Sequence, residues 1–476
     1  MPHPGPLLLH DITVVDTHDG TPHPHQDVHT ADGTITRVTP TAPAPPASDG
    51  VTVVPGRGRF LVPGYLDMHA HPLGDGDPSG TLALMLAHGI TGFRQMAGSP
   101  ELLAARRAGT LPAPADGPAP LAIPGVPLRT PLNARDEETV TATVRAQHAQ
   151  GADFIKVGDT TPAVFTAALT EANRLGIPLL GHLPAGVDIR AAARGGLRCV
   201  EHLGPGIALL AACCTDEAGI RTAVERQLAA AAARPVPQLD ARMIAHLRSL
   251  VTNPLLGRGD GDVALLRRAT ETFDEARARD LAALLAATET WQCPTLVRAH
   301  TTQFADAPEY RDDPDHRYMA PGALDTWRCA ADTYAARPPE ERAVHRAVYE
   351  LQLRLVRVFD EAGVPMLAGS DACGAGWEVP GAALHREFDE LAGAGLSPLR
   401  VLQMTTLLGA RFLGVEDRLG SVAEGRAADL VLLDADPLAD VRHLHAVSGV
   451  VRAGRHLDAR ALAHIRDHVA TTHSAA

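Results

Sequence analysis

From residue 63 to residue 417, short apolar runs alternate with stretches of helical period. The runs occupy 64–68, 89–93, 153–157, 177–180, 197–200, 290–296 and 364–368. Between them, Phe165, Ala168, Leu169, Ala172 and Leu175 hold a helical spacing up to Gly176. Val344, Val348, Leu351, Leu355 and Val358 do the same up to Gly363, and either glycine can take the left-handed conformation that ends a helix. Repeated β–α units over such a length predict a closed (β/α)8 barrel of the TIM type rather than an open sheet. β-like runs at 12–15 and 34–38, with a turn signal at 31–33, return in kind at 428–433 and 446–451. The expected fold class is therefore α/β, a barrel plus a small β-sandwich domain assembled from both chain termini. The expected boundaries are 1–62 and 418–460 for the β domain and 63–417 for the barrel. A helical insertion at the mouth is expected over about 205–290, a Pro/Ala-rich loop over 39–50, and a C-terminal tail over 461–476.

Composition narrows the function classes. With 476 residues and 45% of them hydrophobic, the chain can bury a core. A net charge of -13 without basic blocks argues against nucleic acid or an anionic membrane as partner. The longest apolar runs are too short to span a bilayer. Six cysteines, two of them adjacent (Cys213, Cys214), do not make a disulfide framework. The first residues lack a basic segment followed by an apolar one, so no signal peptide is expected and the reading is a cytoplasmic protein. The expected partner is a small molecule or peptide substrate, with self-association left open.

One count stands apart. Of 43 basic residues all are Arg except Lys156. Such a bias replaces Lys wherever either cation serves, so the survivor points to a task guanidinium cannot perform. Arg stays protonated in a protein, whereas a buried Lys can become a neutral, reactive amine.

In a barrel, chemistry sits where strands end. The first apolar run ends in Asp67-Met68-His69-Ala70-His71, and two His at i and i+2 on a strand face one side, as metal capture needs. Two other such pairs, His23/His25 and His443/His445, follow no apolar run and read as surface histidines. Later strand ends supply Lys156, His182, Glu201-His202 and Asp371. Each alone reads as packing or capping. In chain order, five strand ends carrying His, His, Lys, His, His and Asp form a constellation.

These residues resemble the amidohydrolase superfamily of metal-dependent hydrolases. The likeness rests on residues 63–71, 151–157, Gly181-His182, 200–202 and 368–371, and continues through 420–425 and 428–438. Within it, the chain looks most like imidazolonepropionase-related amidohydrolases and carbamylated-lysine prolidases. The resemblance implies two divalent metal ions: His69, His71 and Asp371 would hold one, His182 and His202 the other, and Lys156, carbamylated by carbon dioxide, would bridge both. Imidazole and oxygen donors suit Zn²⁺, with Mn²⁺, Fe²⁺ and Co²⁺ as alternatives. Two cations make a bridging water acidic enough to act as hydroxide near neutral pH, and Asp371 is the expected proton acceptor and donor to the leaving amine. Asp67 and Glu201 are candidate supports for the ligands beside them.

Departures from the family pattern sharpen the reading. Residues 181–186 lack the acidic residue that deaminases usually carry after the third His, so deamination is disfavoured. Residues 157–162 lack the Tyr or Gly-Gly often found in dipeptidase relatives. Arg94, His385 and Trp377 are candidate substrate contacts. The expectation is hydrolysis of an amide in a peptide-like or N-acyl amino acid substrate. The alternatives are a tailoring hydrolase for a cyclic amide or peptide natural product, such as follower-peptide removal in a bottromycin-type pathway, and a catalytically silent binding relative. The intact set of candidate ligands argues against the last.

Overall fold

The computed structural model describes residues 5–42, 50–74, 76–112, 114, 117–130, 132–233 and 248–474. Residues 43–49 of the expected loop and 234–247 of the expected insertion lie outside the described residues. The N-terminal segment forms β1 (Leu7–Val15), β2 (Pro22–Ala31), β3 (Thr34–Pro40), β4 (Thr52–Pro55) and β5 (Phe60–Pro63). Alternation in β1 buries Leu7, Leu9, Ile12 and Val14 in one small core. The strand's register with β2 shifts between Leu9 and Ile12, where Asp11 turns left-handed at φ +58°.

The barrel strands follow: β6 (Tyr65–Ala70), β7 (Ile90–Gln95), β8 (Ala119–Ala122), β9 (Leu128–Arg129), β10 (Ile155–Asp159), β11 (Leu179–Gly181), β12 (Cys199–Glu201) and β13 (Trp291–Cys293). The chain closes with β14 (Leu430–Leu433), β15 (Val447–Arg452) and β16 (Arg455–Asp458). These last three join the N-terminal strands in one eight-stranded sheet, ordered β16-β15-β14-β5-β1-β2-β3, with β4 on β1. Strand β5 makes the join, parallel to β1 and antiparallel to β14. Gly64 then carries the chain straight into β6, and a Cβ there would fall 2.1 Å from Thr91 Oγ1, so no larger residue fits.

All barrel pairings are parallel, in two sheets, β6-β7-β8 and β9-β10-β11-β12-β13. Backbone hydrogen bonds close the ring between them. Asp153 N donates to Ile123 O (3.0 Å), linking β8 to the approach to β10. Strands β8 and β9 share one place in the ring beside β10, which makes the run 364–368 the eighth segment. Leu367 N donates to Gln292 O on one side (2.9 Å), and Met68 N donates to Ala368 O on the other (3.0 Å). Helices Pro162–Leu175 and Pro339–Glu361 occupy the periodic stretches, and Gly176 (φ +70°) and Gly363 (φ +74°) end them.

The stretch after β12 holds helices Ala208–Ala212, Glu217–Ala232, Asp260–Thr272 and Glu275–Ala287. Thr252 O accepts from Gly376 N (2.9 Å), which ties it to the loop beyond Asp371. The expected C-terminal tail is instead helix Ala459–Ser474 over its described residues. Leu462, Ile465 and Val469 recur with helical spacing, and Leu462 and Val469 are buried. Arg466 also donates to Ala87 O (3.1 Å) at the end of helix Pro78–Ala87. Among the described residues no helix is long and apolar enough to cross a membrane.

Candidate metal centre

Strand ends aim the functional side chains inward through backbone geometry that few residues adopt. His202, Thr295 and Asp371 all take left-handed φ values of +57°, +46° and +60°. For residues with a Cβ this conformation is uncommon and clusters at functional sites. Gly369 makes room for the first strand: a Cβ there would lie 2.7 Å from His69 Cβ and 2.8 Å from Cys293 Sγ. Asp371 N donates to His69 O (2.7 Å), His182 N to Val157 O (3.0 Å) and His202 N to Cys293 O (2.9 Å), so the ladder itself sets their relative heights.

His69, His71 and Asp371 converge. Asp371 Oδ1 lies 3.1 Å from His69 Nε2 and 3.0 Å from His71 Nε2. One donor atom from each of the three residues lies within 4.8 Å of the others. Lys156 Nζ is 3.4 Å from His69 Nε2. The His202 ring stands 4.5 Å from that of His69 and 5.1 Å from that of His182, bringing the remaining pair alongside.

Neighbours decide which ring nitrogens remain free. Glu201 Oε2 takes His69 Nδ1 (2.6 Å), and Arg94 Nη2 holds the other carboxylate oxygen (2.8 Å). The Thr295 hydroxyl donates to Pro294 O (2.7 Å) and so accepts from His202 Nδ1 (2.5 Å). Both rings then present an unprotonated Nε2, the tautomer a ligand needs. Asp67 ties the first strand to the eighth, accepting from His69 N (3.1 Å), Ser370 N (3.0 Å) and Ser370 Oγ (2.6 Å).

Burial tunes the groups in the same direction. It pulls the Lys156 ammonium down to about 8, although Glu201 and Asp371 favour the charged form. Burial also lowers His71, and His182 and His202 fall well below the ordinary imidazole value, so these rings are neutral donors. Burial would push the Asp371 carboxyl up, but Arg298, His69 and His202 hold it well below the usual carboxylate range. A second grouping, His69, Glu201 and Cys293, is a poorer metal site. Burial pushes the Cys293 thiol far up, and Glu201 is already taken by Arg94 and His69. Neutral imidazoles, an ionised carboxylate and a lysine eased toward its neutral amine fit a divalent cation.

The three expected substrate contacts lie elsewhere in function. Arg94 is fully buried, donating to Met68 O (2.5 Å) and to Glu201, with its guanidinium over the Phe412 ring. It positions Glu201 rather than meeting substrate. His385 belongs to the opposite end of the barrel, where its Nε2 meets His88 O (2.8 Å) and its ring packs on Tyr65 at the start of β6. Trp377 is 2% exposed, stacked on Tyr310 and His316 and edge-on to Trp327, so it anchors its loop from within. His23 and His25 are exposed, as a surface reading requires.

Two residues escaped sequence reasoning. Arg298 Nη1 lies 2.7 Å from Asp371 Oδ2. Glu378 is fully buried near both, its Oε2 accepting from Ala375 N (2.9 Å). In a chain whose cations are Arg throughout, nothing in sequence separates Arg298 from the rest.

Fold and site together are those of a (β/α)8 barrel whose strand ends gather histidines, a lysine and an aspartate. The sequence profile of the amidohydrolase family matches residues 352–457. A bottromycin amidohydrolase structure is 25% identical, with a TM-score of 0.70, over 98% of this chain and 90% of that one. A putative prolidase from Bifidobacterium longum shares the fold at a TM-score of 0.59 and 20% identity, covering 98% of this chain and 100% of its own. An adenine deaminase of Paracoccus denitrificans is 36% identical over 89 residues, 18% of this chain. One of Roseobacter denitrificans is 30% identical over 122 residues, 24% of this chain. Those matches span only 15% and 20% of the deaminases' own lengths. Over residues 352–457 the chain matches the amidohydrolase family, and along nearly its whole length it is similar to the bottromycin amidohydrolase structure.

Proposed function

We propose that this chain is a metal-dependent amidohydrolase that cleaves an amide bond in a peptide-like or N-acyl amino acid substrate. The observation that carries this reading is the buried convergence of Lys156 and Asp371 on His69, with His71 and His202 alongside. His69, His71 and Asp371 would hold one divalent cation, His182 and His202 a second, with Lys156 as a carbamate between them. Zn²⁺ suits these donors. When bound, two such cations supply Lewis acidity for a carbonyl and lower the pKa of water toward neutrality.

The chain's own residues do the rest. Glu201 and Thr295 fix the His69 and His202 tautomers. Asp371 stands at the centre with one oxygen toward the imidazoles and the other toward Arg298, placed to take a proton and return it to a leaving amine. The missing acidic residue in 181–186 supports amide hydrolysis over deamination. A second reading, action on an amide in a peptide natural product, is favoured by the likeness to bottromycin amidohydrolase along nearly the whole chain.

A mass-spectrometric screen tests both. Metal-loaded protein would be offered dipeptides, N-acyl amino acids, cyclic imides and longer peptides, with Lys156→Ala as the blank. Cleavage of a dipeptide or N-acyl amino acid, absent from the blank, upholds the first reading. Cleavage confined to longer or cyclised peptides upholds the second. Silence with two metals bound removes the first.

A further inference from the structure

The loop 372–381 leaves Asp371 in a conformation that does not hold itself. Asp371 and Trp377 both take left-handed φ values, +60° and +67°. For a side chain as bulky as Trp this is an outlier, and it persists only where the surroundings fix it. Ties within the loop are few: Gly374 N donates to Asp371 O (2.5 Å) and Ala375 N to Glu378 Oε2 (2.9 Å). Ala372 O accepts from His71 N (2.6 Å). A shift of the loop would therefore move two of the three converging residues at once.

The far half of the loop is held from outside. Trp377 is the grip, its ring stacked on His316 at 5.2 Å and meeting Trp327 edge-on at 5.8 Å. His316 and Tyr318 belong to the short helix Pro314–Tyr318, against which helix Ala459–Ser474 packs. This C-terminal helix has a foot in each of two apolar clusters. Leu462 joins Leu86 with Val450 and Leu457 of the β domain. Two turns on, Val469 joins Leu84, Tyr318, Trp327 and Trp377. Arg466, between them, donates to Ala87 O (3.1 Å). Helix Pro78–Ala87, which supplies Leu84, Leu86 and Ala87, follows the strand end that carries His71. One helix thus backs both the segment beyond His71 and the cluster that grips the loop beyond Asp371. Its other face, with His464, Asp467 and His468, is exposed.

We propose that the C-terminal helix is a clasp on the candidate metal centre, and that Val469 is a positioning residue for Asp371, acting through Trp377 and the loop 372–381. Packed side chains carry such a constraint because a close-packed cluster does not deform freely. Anything that lifts the helix then loosens the site from behind, without touching the mouth. The inference rests on the metal-dependent amidohydrolase reading for the role of Asp371 and adds a means of regulating that site.

The test is hydrogen exchange read by mass spectrometry on the metal-free full chain, with Zn²⁺ affinity measured by chelator competition. In Val469→Ala, amides of 372–381 are expected to exchange about tenfold faster or more, while those of 155–159 keep their wild-type rates. Zn²⁺ should bind about tenfold more weakly, the range for a lost supporting contact. Val469→Asp should move both readouts further, Val469→Ile should restore them, and His464→Asp on the exposed face should leave them unchanged. Faster exchange confined to 459–474, with loop and Zn²⁺ affinity unchanged, overturns the proposal. So does an equal rise at 155–159, which marks a general loss of fold. Loop coupling and weakened Zn²⁺ binding in a chain that cleaves no amide would keep the clasp and remove the hydrolase reading. Amide cleavage by a chain whose loop ignores Val469 would do the reverse.

Discussion

Each end of this barrel gathers histidines, and among the described residues only one end has the makings of a metal site. At the N-terminal end His88, His385 and His445 crowd together, with the last two rings stacked at 4.8 Å. At the C-terminal end stand His69, His71, His182 and His202. Burial depresses the imidazole pKa at both, so a neutral ring does not distinguish them. The difference lies in what the nitrogens meet. At the N-terminal end His88 Nδ1 faces Leu84 O and His385 Nε2 faces His88 O, each at 2.8 Å, so carbonyls consume them. At the mouth a carboxylate and a hydroxyl occupy the Nδ1 atoms and leave Nε2 turned toward Asp371. A histidine cluster is a binding site only where its free nitrogens converge on each other and on an acid.

That contrast can be broken most sharply at Lys156. Lys156→Arg keeps the charge but cannot carry a carbamate. Turnover is expected to fall by roughly a thousandfold or more, as loss of several kcal/mol of metal-derived stabilisation implies. Plasma emission should count fewer than two metals per chain, and wild-type rates with two metals would refute the bridging role. Asp371→Asn is expected to fold and to lose on the order of a hundredfold to ten-thousandfold in turnover, the range of a lost acid–base group. Steady-state rates beside a thermal melt check this, and unchanged kcat would remove Asp371 from proton transfer.

Smaller effects sharpen the comparison. Thr295→Val removes the acceptor for His202 Nδ1 with little change of shape. Metal affinity in a chelator competition should weaken by about tenfold or more, as such supporting contacts generally do, while Thr295→Ser should restore it. His385→Ala at the other end should cost about 2–3 kcal/mol of folding stability in a urea titration, from lost packing and one hydrogen bond. Metal content and turnover should stay within twofold of wild type. A loss of metal there would show that the two ends are coupled.

Much of this was legible in the chain because the relevant patterns are local. The apolar runs fall on β6, β7, β10 to β13 and the eighth segment, since burial on a parallel strand leaves a continuous apolar signature, and the glycine-ended stretches fall on helices Pro162–Leu175 and Pro339–Glu361. The candidate ligands could be picked out because a barrel displays side chains at strand ends. Strand β2 had no comparable signature: it opens Pro-His-Pro-His, and its place is set by pairing with β1 and β3. The C-terminal helix was obscured by its position at the end of the chain, although Leu462, Ile465 and Val469 already carried its stripe.

By itself the sequence determined the architecture, the order of the candidate ligands and the singularity of Lys156, all of which depend on residue type and short-range spacing. Tertiary structure decided which polar side chains are already spent. Arg94 meets Glu201 107 residues away, His385 meets His88 297 residues away, and Trp377 is enclosed by Tyr310, His316 and Trp327. It also brought Arg298 against Asp371. Whether a buried charge or ring is free to act is fixed by partners distant in the chain, and no local pattern records them.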